Sequence, residues 1–328
     1  MTPARLYALL GALTAALFTA SLTIGPAALP FTEALSALVT QSDGPATMVM
    51  REIRLPRALL GLLIGGALGL CGAAMQGYLR NPLAEPGLIG VSSSAALGAV
   101  IAIQTGLAYA AALALPFMAL AGAGIAVLAI FALAGPRGTA LTLILAGVAL
   151  SALAGALTSL VLNLSPSPYA AAEIVFWMMG SLADRSMTHV ALAAPFILAG
   201  AALILPLGRG LDALSLGEDA AASMGIRLAR LRLALILGVA ACVGAGTAVA
   251  GAVGFVGLVV PHLLRPLTGH RPSTLLIASA LGGAAMLLAA DTATRLILPA
   301  RDLKLGVVTA LVGAPFFFHL VWRLRGRL

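Results

Sequence analysis

Apolar residues along this chain come in long unbroken runs separated by short polar breaks, not in the alternation of a half-buried sheet. Runs near 5–29, 55–79, 112–135, 141–164, 187–207, 233–253, 273–297 and 304–324 are each about twenty residues, the length a bilayer-crossing helix needs. Two shorter pieces stand apart. Leu88–Thr105 follows a Pro-Gly break, and Gly254–Leu264 is cut by Pro261. Interrupted helices of that kind are tolerated only inside a bundle. The pattern predicts an all-α chain with eight to ten crossings. The first run is longer than the roughly 7–15 apolar residues of a signal peptide and shows no cleavage site before Pro30, so it is expected to be retained.

The second run carries an internal rhythm. Ala58–Leu79 holds no charged residue, and Gly61, Gly65, Gly69, Ala73 and Gly77 recur every fourth position. On a helix they form one ridge of small residues, along which another backbone can approach closely. Sequence alone does not say whether that neighbour belongs to the same subunit or to a twin. Arg54-Leu-Pro-Arg57 stands at one mouth of this run, and the proline-bracketed Asn81-Pro-Leu-Ala-Glu-Pro-Gly87 stands at the other.

Composition agrees with a membrane chain. It is 61% apolar and 9% charged with a mean hydropathy of +1.08, against about 25% charge in a soluble domain. The net charge of +8 is almost all arginine, scattered between apolar runs, which points to membrane topology and not to nucleic acid. With ten crossings and a cytoplasmic N-terminus, Arg5, Arg80, Arg137, Arg209, Arg227, Arg230, Arg232, Arg265, Arg271, Arg323, Arg325 and Arg327 fall inside. Arg51, Arg54, Arg57, Arg185, Arg295, Arg301 and Lys304 fall outside. Twelve against seven, out of nineteen basic residues, follows the positive-inside bias. The outer set clusters around the start of the second run and the end of the ninth crossing. Cys71 and Cys242 lie within apolar runs and read as small core residues.

Three arginines of that outer cluster, Arg54, Arg57 and Arg295, have two readings: snorkelling to lipid headgroups, or docking an acidic partner by charge complementarity. Asp291 lies four residues before Arg295, on the same helix face, so the two are expected to pair. A buried intramembrane acid can also mark a proton pathway. The longest polar stretch, 208–232, contains Ser215-Leu-Gly-Glu218, read as a capping box that starts a short helix with Leu216, Ala220 and Met224 on one face and Gly225 past its end. A lipid-surface helix is the alternative, but three apolar positions beside Glu218 and Asp219 favour a protein partner. A P-loop needs Gly-Lys-Ser/Thr, whereas the sole lysine, Lys304, precedes Leu305. No metal-ligand spacing or nucleophile–base constellation is evident; Ser92, Ser93 and Ser94 read as helix-start residues.

Arg54–Arg57, Ala73-Ala-Met-Gln76, Asn81–Ser92, Leu145–Leu150, Trp177–Gly180, Leu216–Glu218, Gly254–Arg265, Ala290-Asp291 and Gly306–Pro315 occur in the order seen in the FecCD-type permeases. The chain resembles that family over nearly its whole length. The resemblance implies a type II ABC importer permease fold of about ten helices in one transmembrane domain, 1–328, with a cytoplasmic coupling loop at about 208–232. It implies a homodimer in the inner membrane with both termini cytoplasmic. It further implies two cytoplasmic ATPase subunits that bind ATP and Mg, a periplasmic substrate-binding protein, and no cofactor or metal in this chain. By the same resemblance, Arg54, Arg57 and Arg295 meet the binding protein. Leu216, Gly217, Glu218, Asp219 and Met224 couple to the ATPase, and Thr139, Ala140, Leu141 and Thr142 lie at the cytoplasmic gate. Ala140 and Leu141 depart from the hydroxyl pair of the cobalamin permeases. The expected cargo is a metal chelate, ferric siderophore first, then cobalamin and haem. The rival class is a proton-coupled secondary transporter using Asp291; a channel ranks third, since no charged ring or filter repeat is present.

Overall fold

The computed structural model describes residues 2–27, 29–39, 44–111, 113–135, 139–165, 167–297 and 303–325; Arg137, Arg301 and Arg327 lie outside them. Helices make up the fold, with no strand among the described residues. Ten apolar helices form the bundle: α1 (Pro3–Thr23), α2 (Leu55–Tyr78), α3 (Val91–Gln104), α4 (Ala114–Ala134), α5 (Ala140–Asn163), α6 (Met187–Ile204), α7 (Leu228–Ala250), α8 (Val256–Leu264), α9 (Pro272–Ile297) and α10 (Leu305–Arg325). Seven are long and apolar enough to cross a bilayer; α3, α8 and α10 contribute shorter apolar stretches. The expected interrupted pieces are therefore α3 and α8.

Two helices make the centre. In α2 and α7, 78% of the most apolar stretch is buried inside the chain, against 22% in α1, α4 and α5. Those outer helices turn most of their apolar surface away from the bundle, as lipid-facing or subunit-facing helices do. The small-residue ridge of α2 explains its central place. A Cβ on Gly69 would strike the carbonyl of Ser279, and one on Gly65 would meet Gly283 and Leu287, all on α9. One turn further, Gly72 lies against the backbone of Gly257 on α8. The ridge is used up within this chain, where backbone contact supplies dispersion that lipid tails cannot match.

Contacts at the helix ends order the bundle into two faces. Tyr7 of α1 donates to the Thr274 carbonyl at the start of α9, and Arg232 of α7 donates to the Tyr78 hydroxyl at the end of α2. These define the N-terminal face. The end of α1, the start of α2 and the end of α9 meet at the opposite face.

Some boundaries differ from the apolar pattern. Helix α1 stops at Thr23, before Gly25-Pro26, and α7 begins at Leu228, ahead of the apolar run at 233. Arg230 and Arg232 occupy its first turns, because a helix end at the face tolerates long cationic side chains that a hydropathy window rejects. Two further helices, Phe31–Val39 and Pro168–Met178, are not legible as spans because they are too short to cross.

Candidate functional site

At the opposite face, Arg57 and Arg295 converge on Asp291. Arg57 Nε lies 2.9 and 3.1 Å from the two carboxylate oxygens, and its terminal nitrogen makes a 2.9 Å ion pair. Arg295 reaches the same carboxylate at 3.0 Å from one turn away, the expected i,i+4 pair. Arg295 also donates to the carbonyls of Ser21 (2.9 Å) and Ile24 (2.8 Å) and to the Ser21 hydroxyl (2.8 Å). Arg54 donates to the carbonyls of Leu22 (2.9 Å), Thr23 (2.8 Å) and Ala27. Two arginines thus satisfy the orphan carbonyls at the C-terminus of α1, where the helix dipole is negative.

Burial grades the three. Arg54 is 3% exposed, the Arg295 side chain 7% and that of Arg57 16%. Three guanidinium groups with one carboxylate, which pairs with Arg57 and Arg295, leave the cluster formally positive. Its donors are nonetheless directed mainly into the chain, and Arg57 is the most open of the three. The lipid-snorkelling alternative does not describe this arrangement, because the guanidinium groups turn towards helix ends and Asp291.

The N-terminal face is built differently. A short helix, Gly208–Leu214, continues α6 and is buried. Its Asp212 accepts the Ser273 N–H at 2.8 Å, capping α9 from a distance. The next helix, Glu218–Ser223, rests on the bundle through Ala221 alone among its buried residues, while Leu216 is 70% and Met224 62% exposed. Gly217 (φ +114°) and Gly225 (φ +84°) bracket it in conformations side chains resist. The expected capping box does not form. Gly217, not Ser215, is the N-cap, and the Ser215 hydroxyl donates back to the Asp212 carbonyl at 2.6 Å. A hydroxyl close to the end of one helix caps the nearer carbonyls instead of starting the next helix. Glu218 and Asp219 do occupy the first turn, where their charge suits the dipole.

Thr139 is the N-cap of α5. Its Oγ1 accepts the Thr142 N–H at 3.2 Å and sits 3.0 Å from the Thr142 hydroxyl, with Ala140 and the 64%-exposed Leu141 between them. Leu141, Leu145 and Val148 continue along α5 as an exposed apolar stripe. The structure therefore keeps the three expected groups in three separate places.

One constellation was not anticipated. A cavity of about 150 Å³ at the opposite face is lined by Tyr109, Glu173, Arg185 and His189 among others. Tyr109 donates to Glu173, and this bond raises the tyrosine's pKa. His189 and Ser186 cap the start of α6. These residues sit in four different segments, and only the Ser186-x-x-His189 spacing was a local signal.

Comparison with known proteins fits this architecture. Residues 13–323 match the model of the FecCD transport family. The chain is 40% identical over 308 residues to the ferric enterobactin transport system permease protein FepD of Escherichia coli, covering 92% of this chain and 90% of FepD. It is 40% identical over 279 residues to the cobalamin import system permease protein BtuC of Halobacterium salinarum (84% and 74% covered), and 38% over 293 residues to the hemin transport system permease protein HmuU of Yersinia pestis (87% and 86%). A solved inward-facing transporter described as of the metal-chelate ABC type superposes with a TM-score of 0.87 at 33% identity, covering 98% of this chain and all of that one. A helical bundle built on a glycine ridge, matched over nearly its full length, is a multi-span membrane transport subunit, and the chain belongs to the FecCD transport family of ABC importer permeases.

Proposed function

We propose that this chain is the permease subunit of an ATP-driven importer that carries a metal chelate, ferric siderophore foremost, from periplasm to cytoplasm across the inner membrane. The observation that carries the reading is the glycine-bracketed Glu218–Ser223 helix, which presents Leu216 and Met224 to solvent with almost nothing of the chain behind it. Exposed apolar side chains flanked by acids are a seat for a protein, here an ATPase subunit that binds ATP and Mg. The N-terminal face is then cytoplasmic, with both termini on it. The exposed stripe on α5 supports a homodimer with the Thr139–Thr142 turn near the cytoplasmic gate. The formally positive Arg54–Arg57–Arg295 cluster supports docking of an acidic binding protein, chiefly through Arg57.

The chelate class rests on the relatives, whose names specify ferric enterobactin, hemin and cobalamin. Cobalamin is the second reading, favoured by the BtuC relative. A proton site at Asp291 has less support, because both carboxylate oxygens face arginine. The test is uptake by cells lacking their own importers, supplied with this chain, an ABC-type ATPase and a periplasmic binding protein. Labelled ferric siderophore, haem and cobalamin are offered in turn. Uptake of one chelate that stops with a hydrolysis-deficient ATPase is expected; uptake driven by a proton gradient without ATP would overturn the reading.

A further inference from the structure

The Asn81–Gly87 loop contains an acid that none of these roles uses. Glu85 is the residue before the Pro86–Ile89 turn, yet its carboxylate makes no cap there. It reaches across to the start of α8 and accepts the Phe255 N–H at 2.9 Å. Phe255 is the N-cap of α8 and sits at φ +67°, a left-handed conformation that a bulky residue holds only when its surroundings impose it. Around it the contacts are tight. Gly257 packs on Pro86 and on the Leu68 carbonyl of α2, and the segment before Phe255 has no regular structure. A cavity of about 140 Å³ lined by Glu85, Ser92, Val243 and Gly254 leaves the carboxylate room on one side.

Phe255 in turn seats α10. A Cβ on Gly313 would overlap the Phe255 ring, so the ring lies directly on the backbone of α10. Helix α10 also meets α8 where the His262 ring stands edge-on to Phe316, with centroids 5.6 Å apart. Its start is pinned by the Leu305 N–H on the Gly180 carbonyl (2.9 Å) and the Gly306 N–H on that of Met179 (3.1 Å). Among the described side chains of α10, Leu305, Thr309 and Gly313 form a buried stripe, while Leu311 and Phe318 are exposed. We infer that Glu85 is a positioning residue: by accepting the Phe255 N–H it holds that residue left-handed, and the Phe255 ring fixes where α10 lies. The loop between α2 and α3 is thereby linked to α10 through one hydrogen bond and one ring. This goes beyond the permease reading and does not depend on the identity of the cargo.

The experiment measures the position of α10 in the full-length chain in detergent. Spin labels go on Phe318→Cys of α10 and Leu128→Cys of α4, both exposed positions, with labelled chain diluted into unlabelled; Cys71 and Cys242 are buried. Glu85→Ala is expected to shift or broaden the label–label distance distribution, and Gly313→Ala to shift it by displacing the ring. Glu85→Gln keeps an acceptor of the same reach and should restore the wild-type distribution. Glu85→Asp keeps the charge but is one methylene short, and should behave as Glu85→Ala. Should the alanine variant not fold, the Gln and Asp variants decide. An unchanged distribution in Glu85→Ala, or retention by Asp with loss by Gln, overturns the proposal, the latter because the group would then act through charge.

Discussion

The arginine cluster at one face of the bundle and the Glu218–Ser223 helix at the other treat their charges in opposite ways. At the opposite face, three arginines and Asp291 are directed into the chain and hold the ends of α1, α2 and α9 together. At the N-terminal face, Glu218 and Asp219 stand exposed on a helix whose apolar neighbours, Leu216 and Met224, are also exposed. Charge alone does not distinguish a structural cluster from a docking surface. The difference lies in whether the hydrogen-bonding capacity is already spent. A guanidinium bonded to helix carbonyls stabilises the fold, whereas a side chain with nothing behind it contributes mainly to recognition.

The largest effect is expected from Asp291→Ala. It leaves Arg57 and Arg295 facing each other without their counter-charge, at a cost of about 3–5 kcal/mol. A fall in the melting temperature in detergent checks this; an unchanged value would show that the cluster is not structural. Gly69→Ala follows, since its Cβ meets only backbone, that of Ser279 and Gly283, an overpacking cost of about 1–3 kcal/mol. Retained stability there would mean that α2 and α9 can separate cheaply.

Arg54→Ala and Arg57→Ala sharpen the contrast within the cluster. Arg54→Ala strands carbonyls at the end of α1 and should cost about 1–3 kcal/mol with little effect on docking. Arg57→Ala, at the most open position, should weaken binding-protein affinity more than Arg54→Ala does. That loss should be greatest at low salt, since exposed charges are screened over about 8–10 Å at physiological ionic strength. Equal affinities for the two variants at low salt would remove the docking role from Arg57. The smallest stability effect belongs to Glu218→Arg, about 0.3–1 kcal/mol from the unfavourable helix dipole. Its melting temperature should barely move while coupling of ATP hydrolysis to uptake is lost. Normal uptake with this variant would detach the exposed helix from the ATPase.

Local features were legible and distant ones were not. The i,i+4 pairing of Asp291 with Arg295 follows from helix geometry, and the pair forms. Ser215-x-x-Glu218 has a spacing as suggestive, yet the hydroxyl turns to Asp212, because an adjoining helix end competes for the same donor. The short α3 and α8 were visible as interrupted apolar runs. The Pro168–Met178 helix, with Glu173 bonded to Tyr109, was not, since nothing in its spacing announces a partner in another segment.

By itself, then, the sequence determined the class of molecule, the approximate limits of its apolar runs, the glycine ridge, and pairs within one turn. All of these depend on composition or on the fixed rise of a helix. Only the tertiary structure decided that the ridge meets α9 of the same chain. It alone showed that Arg54 and Arg295 close the end of α1, and that Glu85 holds Phe255. Those partners lie 31, 274 and 170 positions apart. Side-chain type states what a donor needs, but which distant carbonyl or carboxylate meets that need is set by how the helices pack.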